Sequence, residues 1–234
     1  YLTNIEIDYD QYNLKNIVND RINILTNYQN KEYAKKYKDI VDKVISIEKN
    51  IGDKNQEFSK SVAKYLFKLM AYKDEYEVAR LYSDGQFKEK LNSAFDGNLK
   101  IKFHLAPPLL SPRDINTGKP RKITLGSWML PVFSIISKFK FLRGSIIDPF
   151  GKTKERKMER YLIKQYINDL DKILDKVNKN NLSLAIQIAS IPEMIRGFGH
   201  VKEDNINNAQ QNREELLERW NSKEKINIES VAAE

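Results

Sequence analysis

Val62-Ala63-Lys64-Tyr65-Leu66-Phe67-Lys68-Leu69-Met70-Ala71-Tyr72 decides how this chain folds. Apolar side chains wrap nearly the whole circumference of a helix built on this stretch, and only Lys64 and Lys68 interrupt them on one strip. A helix apolar on all sides is a buried helix, so the segment predicts the centre of a helical body. On the upstream side, Leu14, Val18, Ile22 and Leu25 recur at helical spacing, and Tyr33, Tyr37, Ile40, Val41, Val44 and Ile45 form a second one-sided stripe. The short link at Gln29 and Asn30 makes these an antiparallel hairpin, and Gly52-Asp53 close it. Ser83 reads as the N-cap of a short helix reaching Phe95.

Downstream the period changes. Leu99, Ile101 and Phe103 alternate with Lys100, Lys102 and His104, which predicts a half-buried strand with a basic outer face. Arg121–Leu125 is its candidate partner, and Asp114–Pro120 between them is turn chemistry. Helical patterns then resume: Val132 to Phe139, a long helix through Met158, Leu162, Tyr166, Leu170 and Val177, a short apolar one ending at Pro192, and a polar one from His200 to Trp220. The reading is a mainly α, multi-helix domain with one small antiparallel β-hairpin insertion near residues 98–126. Its parts are an N-terminal helical hairpin over 1–52, a helical domain over 53–220 and a frayed tail over 221–234, packed as one compact unit.

Composition excludes several classes of function. There is no cysteine, which removes disulfides, thiol nucleophiles, cysteine-ligated zinc and any iron–sulfur cluster held by this chain's own thiolates. Only His104 and His200 are available as imidazoles, too few for a histidine-rich metal site. No apolar run approaches the ~20 residues that span a bilayer, and no signal or transit peptide is visible, so a cytoplasmic chain is expected. Tyr1 is not an initiator residue, which suggests a fragment or processed chain. The net charge of +8 is concentrated in the middle, where Asp96 to Gln165 holds fifteen Lys or Arg against five Asp or Glu. Such a surface attracts acidic proteins, phosphates or nucleic acid, unless its lysines serve only to keep the chain soluble; nucleic acid is the weaker candidate for the strip at Arg156, Lys157, Arg160 and Lys164, with which no aromatic residues interleave as stacking platforms.

Three local patterns are candidate sites. Gly151-Lys152-Thr153 precedes a helix, but the glycine a phosphate loop needs five positions earlier is replaced by Ile146. Either Lys152 and the helix N-terminus hold an anion, or Thr153 simply starts the helix. On that helix Arg156, Lys157, Arg160 and Lys164 form a basic strip, which is a solvated face or a docking surface. Arg196-Gly197-Phe198-Gly199-His200-Val201-Lys202-Glu203 is the most unusual string. It reads as a sharp helix–helix joint, or as a site for a ligand or for proton chemistry using Arg196, His200, Lys202 and Glu203. Paired carboxylates such as Asp74/Glu75 have no accompanying base and read as solvated or ion-paired.

Five ordered strings carry a resemblance: Tyr65 to Leu81, Phe103 to Leu110, Phe141-Leu142-Arg143-Gly144, Asp148-Pro149-Phe150-Gly151 with Met158-Glu159-Arg160, and Ile195 to Glu203, with Tyr28-Gln29-Asn30 and Tyr33-Ala34 upstream. Together, from about Asp20 to Leu217, they resemble the carboxy-terminal domain, of unassigned function, of long fused indolepyruvate ferredoxin oxidoreductases. The resemblance implies a parent that oxidatively decarboxylates aryl pyruvates to acyl-coenzyme A and reduces ferredoxin, with thiamine diphosphate and iron–sulfur clusters. This chain has no cysteine and no Gly-Asp-Gly entry to a thiamine-diphosphate motif, so both cofactors are expected elsewhere in the parent and none here. The implied role is a structural or assembly domain, itself without catalytic residues, contacting the parent's catalytic domains within a homo-oligomer. The alternative is a basic docking module for acidic ferredoxin or coenzyme A phosphates.

Overall fold

A computed structural model describes residues 13–97, 100–105 and 121–231. Within them the chain is mainly α with one two-stranded antiparallel sheet. The helices are α1 (Leu14–Tyr28), α2 (Lys31–Ile51), α3 (Glu57–Met70), α4 (Glu75–Ser83), α5 (Gln86–Ala94), α6 (Met129–Lys138), α7 (Lys154–Leu174), α8 (Leu182–Ser190) and α9 (His200–Val231). Short 3-10 turns cover Phe139–Leu142 and Ile191–Met194. The expected hairpin forms from β1 (Phe103–Leu105) and β2 (Ile123–Leu125), with Phe103 opposite Leu125 and His104 opposite Thr124. Leu99 and the connecting turn at 106–120 lie outside the described residues.

The chain divides into two compact units, and not at residue 52. The first unit contains α1 up to Thr26, α2, α3, α7 from Leu162, α8 and α9. Here α3 is buried as its apolar circumference requires: Phe58, Val62, Ala63 and Leu66 are fully enclosed among Tyr37, Val41 and Val44 of α2 and Ala185, Ile188 and Ala189 of α8. Buried tyrosines keep their hydroxyls bonded to carbonyls: Tyr37 donates to Ala63 O at 3.0 Å and Tyr166 to Ala189 O at 2.8 Å. The start of α3 has no cap of its own, since Gln56 sits at φ 56° and makes no side-chain cap bond. The buried Glu48 carboxylate of α2 supplies one, accepting Phe58 N at 2.8 Å and Ser59 N at 2.9 Å, along with the Ser59 hydroxyl. Helix α9 continues past Trp220 to Val231, so the segment expected to fray after residue 220 is helical up to there.

The second unit holds residues 27–30 and 72–161 of the described chain: α4, α5, the hairpin, α6 and the opening of α7. One end is an aromatic core in which Phe103, Phe133 and Tyr82 pack with ring centroids 5.0–5.2 Å apart. Helix boundaries differ from the sequence reading between residues 74 and 94. Asp74 caps α4 by accepting Glu77 N at 2.9 Å, Ser83 is the last residue of that helix, and Asp84 accepts Gln86 N at 3.2 Å where α5 begins. Asp-x-x-Glu at 74–77 is the stronger start signal, because a carboxylate both bonds free N–H groups and faces the positive helix end.

Candidate functional site: a buried ionic network

Within the second unit, α4 and the loop after α6 bring opposite charges together out of water. Arg143 and Asp74 are each 3% exposed at the side chain. Nε of Arg143 donates to one Asp74 carboxylate oxygen at 2.5 Å and Nη2 to the other at 2.8 Å, a bidentate pair. The remaining Nη1 donates to the Tyr28 carbonyl at 2.5 Å, and the guanidinium lies 3.6 Å from the centre of the Tyr28 ring. Tyr28 in turn donates its hydroxyl to Tyr72 O at 2.8 Å. Burial alone would lower the Arg143 pKa, but the Asp74 carboxylate and the surrounding tyrosines hold it above the ordinary arginine value.

Asp148 organises the adjoining turn. It is the only acidic residue between Arg121 and Lys154, and it is buried. Its carboxylate accepts Gly144 N at 2.7 Å, Phe150 N at 3.1 Å and the Tyr76 hydroxyl at 3.1 Å. Burial first, then the Asp148 charge, push the Tyr76 phenol well above its usual pKa. Gly151 has to be a glycine: a Cβ there would fall on the Asp148 carboxylate, 2.7 Å from its Cγ. Gly144, at φ +75°, turns the chain between Arg143 and this loop.

The opening of α7 closes the network. Arg160 Nη2 donates to Gly151 O at 2.6 Å. Arg156 bonds Glu159 at 2.6 Å and Glu75 at 3.3 Å, with only 12% of its side chain exposed. Tyr72 sits among Asp74, Arg143, Glu159 and Arg160, and burial followed by the Asp74 charge raises its phenol to about 12. Each titratable group named here has an internal partner, although Nη1 of Arg160 is buried without one, and the arrangement resembles a structural clamp.

The structure separates the candidate residues that the sequence grouped. Arg156, Lys157 and Arg160 do not share one outer strip. The helical period turns Arg156 and Arg160 toward buried carboxylates and the Gly151 carbonyl, and leaves Lys157 exposed. Lys152 is exposed, and α7 begins with Thr153 in the ordinary way, its Oγ1 accepting Arg156 N at 3.3 Å. In the first unit, Arg196, His200 and Lys202 lie at a joint between the Ile191–Met194 turn and α9. Gly197 (φ +86°) and Gly199 (φ +58°) make the bend, and a Cβ on Gly197 would come within 2.9 Å of Val201. Arg196 is tied to Glu193, through its carbonyl at 3.0 Å and its carboxylate at 3.2 Å, whereas His200 is exposed. Lys68 reaches the same segment, donating to Pro192 O at 2.8 Å. Burial, then the Arg196 charge, with Lys202 also contributing, hold the Lys68 ammonium down to about 8.

Sequence reading missed Arg143 and Asp148 as individual actors. The available signal was the placement of lone charges next to turn glycines, in Arg143-Gly144 and Asp148-Pro149-Phe150-Gly151, and the Asp74–Glu77 cap. Among the described residues no three His, Asp or Glu side chains converge as metal ligands, and no helix is long and apolar enough to cross a membrane. No curated protein and no solved structure matches the chain. Over residues 14–215, which take in both the ionic network and the glycine joint, the chain matches the family described as "Family of unknown function (DUF6537)", and it belongs to that family.

Proposed function

We propose that the chain is a non-catalytic structural and assembly domain of a larger cytoplasmic 2-oxoacid oxidoreductase of the indolepyruvate ferredoxin type. On this reading the thiamine diphosphate and iron–sulfur chemistry belongs to other segments of that enzyme, and this domain packs against them within a homo-oligomer. The observation that carries the proposal is where the resembling strings go. Tyr28, Asp74, Arg143, Asp148, Gly151 and Arg160 come from four separate strings, and all take part in one internal network, in which only Nη1 of Arg160 is buried without a hydrogen-bond partner. Residues chosen for reaction with a substrate would keep a donor or acceptor turned toward an open site. The alternative, a docking module for ferredoxin or coenzyme A phosphates on the α7 strip, loses two of its four cations to internal partners.

The test has two arms. The purified chain, given aryl pyruvate, coenzyme A, thiamine diphosphate and oxidised ferredoxin, is expected to show no turnover. The enzyme that contains it is expected to lose assembly, and activity with it, when this domain is deleted or carries Arg143→Met. Turnover by the chain alone, or full assembly without it, overturns the proposal.

A further inference from the structure

Helix α6 is apolar on two faces. Met129, Phe133 and Ile136 point into the aromatic core of the second unit. On the other side Trp128, Ile135 and Phe139, with Pro131 among them, follow one another at three- and four-residue spacing and are exposed. The exposed surface continues along the chain. Phe141, whose ring packs 6.1 Å from that of Phe139, is 61% exposed, and Ile146 and Ile147 in the following loop are 94% and 71% exposed. The loop holding these isoleucines is not loose, since Arg143 and Asp148 on either side are anchored in the ionic network. The six residues together expose about 780 Å², at about 200 Å² for each large apolar residue. That total approaches the ~800 Å² that one partner contributes to a stable interface.

Within the segment that carries this surface the exposed charges are cations. Between Arg121 and Lys154 the single acidic residue, Asp148, is buried, while Lys122, Lys138 and Lys152 are exposed. A second copy of the same face would set cation against cation. An apolar centre with a carboxylate rim satisfies both features at once.

We propose that the outer face of α6, Phe139, Phe141 and the Ile146–Ile147 loop dock an acidic, apolar-centred protein surface belonging to another segment of the same enzyme. This rests on the assembly reading above and names its contact face. The test places the photo-reactive benzoylphenylalanine at Phe141 in the native polypeptide and identifies the crosslinked peptide by mass spectrometry. The expected product is an acidic peptide from outside residues 1–234. Its yield should fall more than tenfold with Ile146→Ser and Ile147→Ser together, because docking would remove both exposed isoleucines from water. Lys138→Glu with Lys152→Glu should lower the yield as well, and 0.5 M salt should mimic that change. Crosslinks to the same face of a second copy, to phosphatidylserine vesicles in place of protein, or to nothing overturn the proposal. If domain deletion dissolves the assembly while the patch variants leave it intact, this face is refuted and the assembly role survives. If neither perturbs it, both fail.

Discussion

Replacing Arg143 by methionine tests the network where it is most exposed to failure. Methionine keeps much of the side-chain volume but leaves the Asp74 carboxylate, 3% exposed, with no cation beside it. It also removes the donor from the Tyr28 carbonyl and the cation from the Tyr28 ring. Breaking one side of a buried pair costs about 3–5 kcal/mol, because the remaining charge stays desolvated. For a chain of this length that is about 10 °C in Tm. Asp74→Asn is the partner perturbation. Asparagine still caps α4 by accepting Glu77 N, so it removes the charge and spares the cap. Alone it should cost about 2–4 kcal/mol, since Arg143 is then the uncompensated ion. In the double variant neither charge remains, and the loss should be smaller than the sum of the singles by about 2–3 kcal/mol. Urea melts followed by circular dichroism give the energies, and hydrogen exchange over α4 and residues 139–150 assigns them to the second unit. A coupling below about 0.5 kcal/mol, or one that disappears in 1 M salt as a screened surface pair would, refutes the argument.

Gly151→Ala should destabilise by about 2–3 kcal/mol, an overpacking cost, because its Cβ competes with the Asp148 carboxylate for the same space; a thermal melt within 2 °C of the parent would disprove this. Tyr72 should resist ionisation until about pH 12 in the folded chain, against about 10 unfolded. Its contribution to stability is therefore complete below pH 10 and disappears as pH climbs from 10 to 12, and difference absorbance of wild type minus Tyr72→Phe reads it. Lys68 has the opposite sign: its folded value of about 8 lies below the ordinary 10.5. Holding it charged opposes folding below pH 8, and stability rises between about 8 and 10.5, an increase that Lys68→Met should abolish. Glu48→Ala should cost about 2–4 kcal/mol by leaving the Phe58 and Ser59 N–H groups buried without an acceptor. Burial also raises the Glu48 pKa, so the wild-type contribution is greatest below the unfolded carboxylate value and diminishes as pH rises past it.

The helical parts of the fold were legible because they rest on periodicity. The all-round apolar string at 62–72 had to be enclosed, and α3 is; the alternation ending at Phe103 and the run at Arg121–Leu125 had to pair, and they do, in a ladder of three residues. Boundaries at 74–94 were misplaced for a local reason. Ser83 and Asp74 are both good caps, and only the position of Tyr76 and Ala79 in the core decides that Asp74 starts a helix that Ser83 ends. The cap of α3 was beyond local reading, since its donor–acceptor pair joins residue 48 to residues 58 and 59 and leaves no mark at position 56. The division into units was equally hidden, because each unit is assembled from segments distant in sequence.

The basic residues show why charge patterns mislead about sites. In sequence, Arg156, Lys157 and Arg160 are three equivalent cations beside an anion-friendly helix start. In space they differ by where their neighbours lie. Arg156 meets Glu75, which is 81 residues away, and Arg160 meets a carbonyl nine residues back, while Lys157 meets water. The two arginines take internal positions because a planar guanidinium can satisfy several acceptors at once and tolerates desolvation better than an ammonium. Lys138, Lys152 and Lys157 remain exposed, whereas Lys140 is half-buried and donates to the Asn27 carbonyl. Placing Arg143, Arg156 and Arg160 inward while Lys138, Lys152 and Lys157 face water separates two tasks within one basic segment. The arginines anchor the turn at 143–151, and by holding it fixed they present Ile146 and Ile147 without the entropy cost that a mobile loop would incur on docking. Loosening the network should therefore weaken the contact at Phe141 even though no residue of the face has changed: Arg143→Met should lower crosslinking there, and an undiminished yield would mean that the clamp and the face act independently.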